Sequence, residues 1–259
     1  MNKVITNINN RGIARVTINN PEKHNAFDDQ IIAQLTEAFT AIAGNKNMRV
    51  MVLNSVGKSF SAGADLGWMQ RMADYSYTEN LRDSQALAEM LQTLNNMPQP
   101  TIARIQGAAF GGAVGLVSCC DITIAAQTAS FSLSEVRIGL VPATISPYVI
   151  AAIGERAARR YFTTAERFSA CTAKQLGLVS ETTDIENLDA AVDEIVSALL
   201  ANGPAAVQRA KQLIFDISGK PIDQALIDQT CETIATIRVS SEGQEGLNAF
   251  LQKRPPKWL

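Results

Sequence analysis

Three stretches of this 259-residue chain carry residue types and spacings that could do chemistry. Two are glycine-containing turns that read as strand-to-helix junctions: FSAGADLGWM, Phe60 to Met69, and QGAAFGGAVGL, Gln106 to Leu116. Neither is a phosphate loop, because GxxxxGK[ST] is absent and the second lacks the spacing of a dinucleotide fingerprint. A glycine at the mouth of a helix lets a ligand approach bare backbone N–H groups, where the helix dipole favours negative charge. Two such groups aimed at one carbonyl would hold the charge that develops on its oxygen, and losing one donor of this kind costs on the order of 3 kcal/mol. The same glycines would also serve tight packing of helix on strand, and spacing alone leaves both readings open. The third stretch is SLSEVRIGLVP, Ser132 to Pro142, where Glu135 sits among Phe131, Leu133, Val136 and Ile138. Desolvation in that setting would raise its pKa toward a value useful for proton transfer. A surface glutamate at a strand end is the competing reading. Arg137, two residues on, would share its face on a strand.

Composition narrows what else the chain can be. Hydrophobic residues make up 46% and charged residues 19%, the balance of a globular rather than a disordered protein. Lys and Arg number 23 against 25 Asp and Glu, a formal charge of −2, so no global basic field draws in nucleic acid or an anionic membrane. His24 is the single histidine, which removes multi-histidine metal chemistry, and any Ser-His-Asp triad unless His24 itself takes part. Cys119, Cys120, Cys171 and Cys231 fit no zinc spacing, and the vicinal pair inside an apolar run reads as reduced core packing. The opening MNKVITNINNRG has neither a secretory apolar core nor the arginine content of a transit peptide. The apolar run Gly107 to Cys120 is too short and glycine-rich to span a membrane. The expectation is a protein of the reduced cytoplasm, without a metal site, whose acid–base chemistry comes from carboxylates and backbone amides.

Holding two helix mouths and a carboxylate together requires alternating strands and helices. Strands are expected at Val4 to Ile8, Ile13 to Ile18, Arg49 to Asn54, Thr101 to Gln106 and Asp121 to Ala126. Between them fall helices at Gln30 to Ala43, capped by Asp28 or Asp29, from Ala64 to Ala73, at Leu81 to Leu94, and in the apolar segment after Gly112. Such alternation predicts an α/β core with a largely parallel sheet. After Pro147 the text reads as helices alone: Ile150 to Tyr161, Ala173 to Leu176, Leu188 to Ala201, Pro204 to Phe215, Ile222 to Val239 and Glu242 to Leu251. Residues 1–200 are therefore expected to form the α/β core, and 201–259 a helical region packing on it or on a neighbouring subunit. Asp121 reads as a structural cap, while Trp68 and Met69 suit either a pocket wall or the core.

The segments NNPEKHNAF, FSAGADL, GAAFGGAVGL and SEVRIGLVP, in this order, resemble the enoyl-CoA hydratase/isomerase (crotonase) superfamily from about Val16 to the C-terminus. The resemblance implies a spiral of ββα units with a helical trimerisation region, assembled as a trimer or dimer of trimers. It implies an acyl-CoA thioester substrate, with coenzyme A as part of that substrate and no bound prosthetic group. It assigns the oxyanion N–H groups to Ala64 and Gly112 and the proton-moving carboxylate to Glu135. Acyl-CoA would lie along Lys23, His24 and Ala26 on one side and Ala62, Asp65 and Leu66 on the other. Lys253, in AFLQKRPPKW, would reach the coenzyme A phosphates of a neighbouring subunit. One departure stands out: the second glutamate of the two-glutamate hydratases falls here on Gly115. Relatives with one glutamate include double-bond isomerases, and decarboxylation is a further possibility; a non-catalytic acyl-CoA- or RNA-binding scaffold would not need Glu135 and both turns.

A finer resemblance narrows the substrate. The run AAFGGAVGLVSCCDITIAA, the segment from FSLSEVRIGLVP onward and the tail RVSSEGQEGLNAFLQKRPPKW are similar to bacterial 3-methylglutaconyl-CoA hydratases of leucine degradation. That subgroup and its isohexenylglutaconyl-CoA relatives are implied to share the glycine. A substrate with its own distal carboxylate would be repelled by a second enzyme carboxylate. Gly115 would remove that repulsion and make room for a branched chain, and Arg137 is a candidate to meet the substrate carboxylate.

Overall fold

The computed structural model describes residues 2–259. Its main sheet has six strands in the spatial order β1 (Val4–Ile8), β2 (Ile13–Ile18), β3 (Val50–Ser55), β4 (Thr101–Ile105), β6 (Ile122–Ala126) and β9 (Glu181–Thr183). β1 and β2 form an antiparallel hairpin, Val4 facing Ile18, and every later pairing is parallel, as the alternation of strand and helix predicts. Successive side chains of a strand face opposite sides, and both sides here are covered. On one, Ile13, Val50, Val52, Ile102 and Ile124 pack under Leu188, Val192 and Val196 of α7 (Leu188–Leu200). On the other, Val16, Met51, Leu53 and Ile105 join the main core beneath α1 (Asp29–Ala43), α3 (Tyr77–Asn95) and α4 (Gly112–Cys119). Burial on both faces is why β3 reads as a continuous apolar run.

Local signals set the helix bounds. Asp28 caps α1 by accepting the Ile31 N–H at 2.9 Å, and Ile31, Ile32, Leu35, Phe39 and Ile42 form its buried stripe. α3 starts earlier than its apolar periodicity suggests, because Ser76 and Glu79 form a reciprocal capping box ahead of it. α2 (Leu66–Asp74) starts later than Ala64, at its Asp65 cap. α5 (Ser146–Thr164) bends at Gly154, whose φ of 76° breaks the helical geometry.

The expectation of helices alone after Pro147 is corrected by β8 (Phe168–Ser169) and β9. Strands of two and three residues are too short to show alternation. Between them lies α6 (Ala170–Leu176), and beyond α7 come α8 (Pro204–Ile217), α9 (Gln224–Val239) and α10 (Ser241–Leu251). Of these last three only Ala249 is buried, and Ile214, Phe215, Ile234, Phe250 and Leu251 are exposed. Asp121, expected to cap a helix, instead ties α8 to the start of β4: α4 is capped by Cys120, and the Asp121 carboxylate accepts from the Thr101 N–H and the Lys211 ammonium, each at 2.7 Å. All four cysteines are free, and burial pushes the Cys120 thiol up to about 12.

A second, smaller sheet positions the chemistry. β5 (Ala109–Phe110), β7 (Ser130–Ser132) and β8 lie side by side, and single bridges of Ser61 to Ala109 and Phe27 to Ala64 extend the layer.

Candidate active site

The chain leaves β7 and passes through Leu133 and Ser134 into a 3₁₀ turn, Glu135–Ile138, closed by Gly139 at φ 76°. The strand expected around Glu135 is thus replaced by a turn, because Arg137 N–H already bonds to the Ser134 carbonyl at 3.1 Å. Glu135 and Arg137 do not share a face by strand alternation. The Arg137 guanidinium instead donates to the Ala165 carbonyl at 2.8 Å. Glu135 is half-buried, and its Oε2 is fully enclosed without a hydrogen-bond partner. Burial pushes its carboxyl above the ordinary glutamate range. Gly111, at φ 56°, makes the close approach possible: a Cβ there would sit 3.3 Å from Glu135 Oε1.

Backbone pairing frees the two amides. In the Phe27–Ala64 bridge, Phe27 N–H donates to Gly63 and Asp65 N–H donates to Phe27, both at 2.7 Å. A parallel bridge bonds through the residues flanking its centre, so the Ala64 N–H is left outside the pairing. On the second turn Gly111 N–H bonds to the Ser132 carbonyl at 2.9 Å. Gly112 is the first residue of α4, where an N–H has no intrahelical partner. Among the described residues neither the Ala64 nor the Gly112 N–H donates to a protein acceptor. The turns abut at Gly63, whose φ is 97° and whose Cβ would lie 3.2 Å from the Phe110 carbonyl oxygen.

Ala64, Gly112 and Glu135 line two adjoining cavities. The smaller, about 170 Å³, is walled by Phe27, Trp68, Met72, Leu87 and Ile145. The larger, about 430 Å³, is bounded by Ala62, Leu66, Met69 and Phe110, with Arg137 and Arg167 among its polar residues. Trp68 and Met69 therefore both serve as cavity walls, one in each.

The structure corrects the expectation that Gly115 opens space. A Cβ at Gly115 would lie 2.8 Å from Cβ of Ile145, closer still to its Cγ2, and 3.4 Å from Leu91 Cδ2. Ile145, 2% exposed, fills the volume that a larger residue would claim. Gly115 instead makes room for Ile145, which walls the smaller cavity. Gly115→Ala is expected to destabilise the fold by about 1–3 kcal/mol through overpacking. Ile145→Ala destabilises by its own cavity, and the double variant should be more stable than the sum of the two losses by about 0.5–3 kcal/mol. Denaturant unfolding of the four proteins measures that coupling, and strict additivity would contradict the interlock.

The two segments assigned to acyl-CoA binding lie side by side. Lys23 to Ala26 and Ala62 to Leu66 are hydrogen-bonded to each other, Ala62 N–H to the His24 carbonyl at 3.0 Å. Lys23 ammonium pairs with Asp65 at 2.7 Å and holds that carboxyl below its usual range, while Asp65 also caps α2 through the Trp68 N–H. His24 Nδ1 lies 3.4 Å from the Ser59 hydroxyl. Ala62 and Leu66 line the larger cavity; Lys23, His24, Ala26, Asp65 and Lys253 do not. Sequence reasoning missed Asn25, which is fully buried and whose amide donates to the carbonyls of Val56 and Ser59 at 2.7 and 2.8 Å. Its left-handed φ of 55° inside a polar loop is the kind of signal Asn gives. Ile145 and Arg167 were missed as well, and neither carries a local sequence signal.

The chain matches the family described as Enoyl-CoA hydratase/isomerase over residues 8–259. An enoyl-CoA hydratase from Shewanella pealeana of known structure is 46% identical, with a TM-score of 0.95 covering 99% of this chain and 96% of that one. Pseudomonas aeruginosa AtuE superposes with a TM-score of 0.94 at 31% identity, covering 99% of each chain. The 2,3-dehydroadipyl-CoA hydratase of Escherichia coli is 31% identical over 244 residues, 93% of this chain and 92% of the relative.

Proposed function

Because this chain belongs to the enoyl-CoA hydratase/isomerase family, we propose that it adds water across the double bond of an enoyl-CoA thioester whose acyl group ends in a carboxylate, 3-methylglutaconyl-CoA foremost. The amides of Ala64 and Gly112 donate to the thioester oxygen and stabilise the enolate as it forms. Glu135, ionised at the start, takes a proton from water as the water oxygen bonds to the β-carbon. The electron pair of the double bond moves onto the thioester oxygen. Glu135, now neutral, returns a proton to the α-carbon as the enolate collapses, and the carboxylate is regenerated. One carboxylate thus handles both proton transfers, and its raised affinity for protons suits the second. Coenzyme A enters and leaves as part of the substrate and product.

The observation that carries this reading is the unpartnered Glu135 Oε2 set at the wall of the cavities shared with two acceptor-less amides. Two points support the carboxylated substrate. Ile145 stands where a second carboxylate would repel one. The Escherichia coli relative is named for 2,3-dehydroadipyl-CoA, an enoyl thioester with a terminal carboxylate. The exposed apolar faces of α8 to α10 support assembly as a trimer or dimer of trimers. In such an assembly Lys253, outside both cavities of its own chain, serves a neighbour's coenzyme A phosphates.

Incubation with 3-methylglutaconyl-CoA and with crotonyl-CoA tests the reading. The expected result is loss of the enoyl-thioester absorbance, formation of 3-hydroxy-3-methylglutaryl-CoA, and a higher kcat/KM for the carboxylated substrate. Release of CO₂ would replace hydration by decarboxylation, and a shifted double bond without added water would replace it by isomerisation.

A further inference from the structure

Arg167 lies immediately before β8, in a stretch to which sequence gives no role. In the antiparallel register Ser130 faces Ser169 and Phe131 faces Phe168. One residue further, Arg167 comes opposite Ser132, and the other neighbour of Ser132 is Phe110. Phe110, Ser132 and Arg167 therefore form a row across the small sheet, and all three line the larger cavity with Glu135. The Arg167 guanidinium rests over the Phe110 ring, 4.7 Å from its centroid. That contact orients the cation without neutralising it. Among the described residues Arg167 makes no ion pair. Arg137 lines the same cavity, and its guanidinium is anchored on the Ala165 carbonyl, two residues from Arg167.

The geometry points to Arg167, seconded by Arg137, as the seat for the terminal carboxylate of the acyl chain. A guanidinium offers a planar fork of donors that matches a carboxylate. The contact with Phe110 holds the guanidinium in place before the ligand arrives. An acyl group with its thioester oxygen on Ala64 and Gly112 passes Glu135 and ends against Arg167. The inference deepens the proposed hydration, on which it rests for the ligand's identity.

Affinity tests it without turnover. Glutaryl-CoA and valeryl-CoA share the coenzyme A portion and the carbon count, and differ in a terminal carboxylate against a methyl. The wild-type protein is expected to bind glutaryl-CoA more tightly, and Arg167→Gln should shrink that preference about 10–100-fold, the range of a charge-assisted pair. Arg167→Lys, which keeps the charge and loses the fork, should restore part of it. Equal weakening of both ligands by Arg167→Gln would place Arg167 on the coenzyme A phosphates and overturn the inference. So would a wild-type protein that binds both alike. If the wild type turns over no enoyl-CoA yet prefers glutaryl-CoA in an Arg167-dependent way, hydration fails and the carboxylate seat stands.

Discussion

Glu135→Gln is expected to leave a folded protein that turns over enoyl-CoA about 10²–10⁴-fold more slowly, the span of positioned acid–base catalysis. The amide keeps the shape of the side chain but can neither take the proton from water nor deliver one to carbon. Stability should move the other way. Burial raises the folded-state pKa of Glu135 above its unfolded value. Between those two values the folded protein therefore holds more protons than the unfolded one, and stability falls as pH rises through that window. Above it, the buried charge remains a cost that glutamine lacks. Glu135→Gln should consequently melt at a higher temperature than wild type at neutral pH, with the gap closing below the ordinary glutamate pKa. The wild-type rate should rise with pH through an apparent pKa above that ordinary value. Melting curves and initial rates across pH read both effects. A variant with full activity, or one that melts lower at neutral pH, would contradict this account of Glu135.

The second large effect concerns an amide. Gly112→Pro is expected to reduce kcat by about 10²–10³, the loss measured when one oxyanion donor is removed. Position Gly112 allows a clean deletion. It is the first residue of α4, where proline is favoured because that N–H has no helical partner. Gly111 before it sits at φ 56° and ψ −125°, away from the α region that a following proline forbids. Gly112→Ala is the control: its Cβ would meet the Phe27 ring carbons at 3.5 Å, an ordinary contact, and the N–H stays. The alanine variant should keep most of the rate. Equal loss in both variants would show that bulk, and not the donor, matters at this position.

Much of the scaffold was legible because its signals are local. IARVTI alternates, Asp28 is a cap residue at the right offset, and the apolar VMVL run announces a strand buried on both faces. The two glycine turns were legible for the same reason, since close backbone approach selects glycine. What escaped depends on partners far along the chain. Ile145 looks like any apolar residue until it is seen against Gly115, and Arg167 like any exposed cation until β8 sets it beside Ser132 and Phe110. The turn at Glu135 was not legible, because only three residues of β7 precede it and alternation over so short a strand cannot show where pairing stops.

The Gly115–Ile145 interlock bears on how this lineage can change. Enlarging Gly115 alone collides with Ile145, and shrinking Ile145 alone leaves a void in the core. Each single step toward a two-glutamate enzyme is thus selected against before the second can reward it. A descendant of this sequence therefore reaches a larger side chain at position 115 only by changing both residues together.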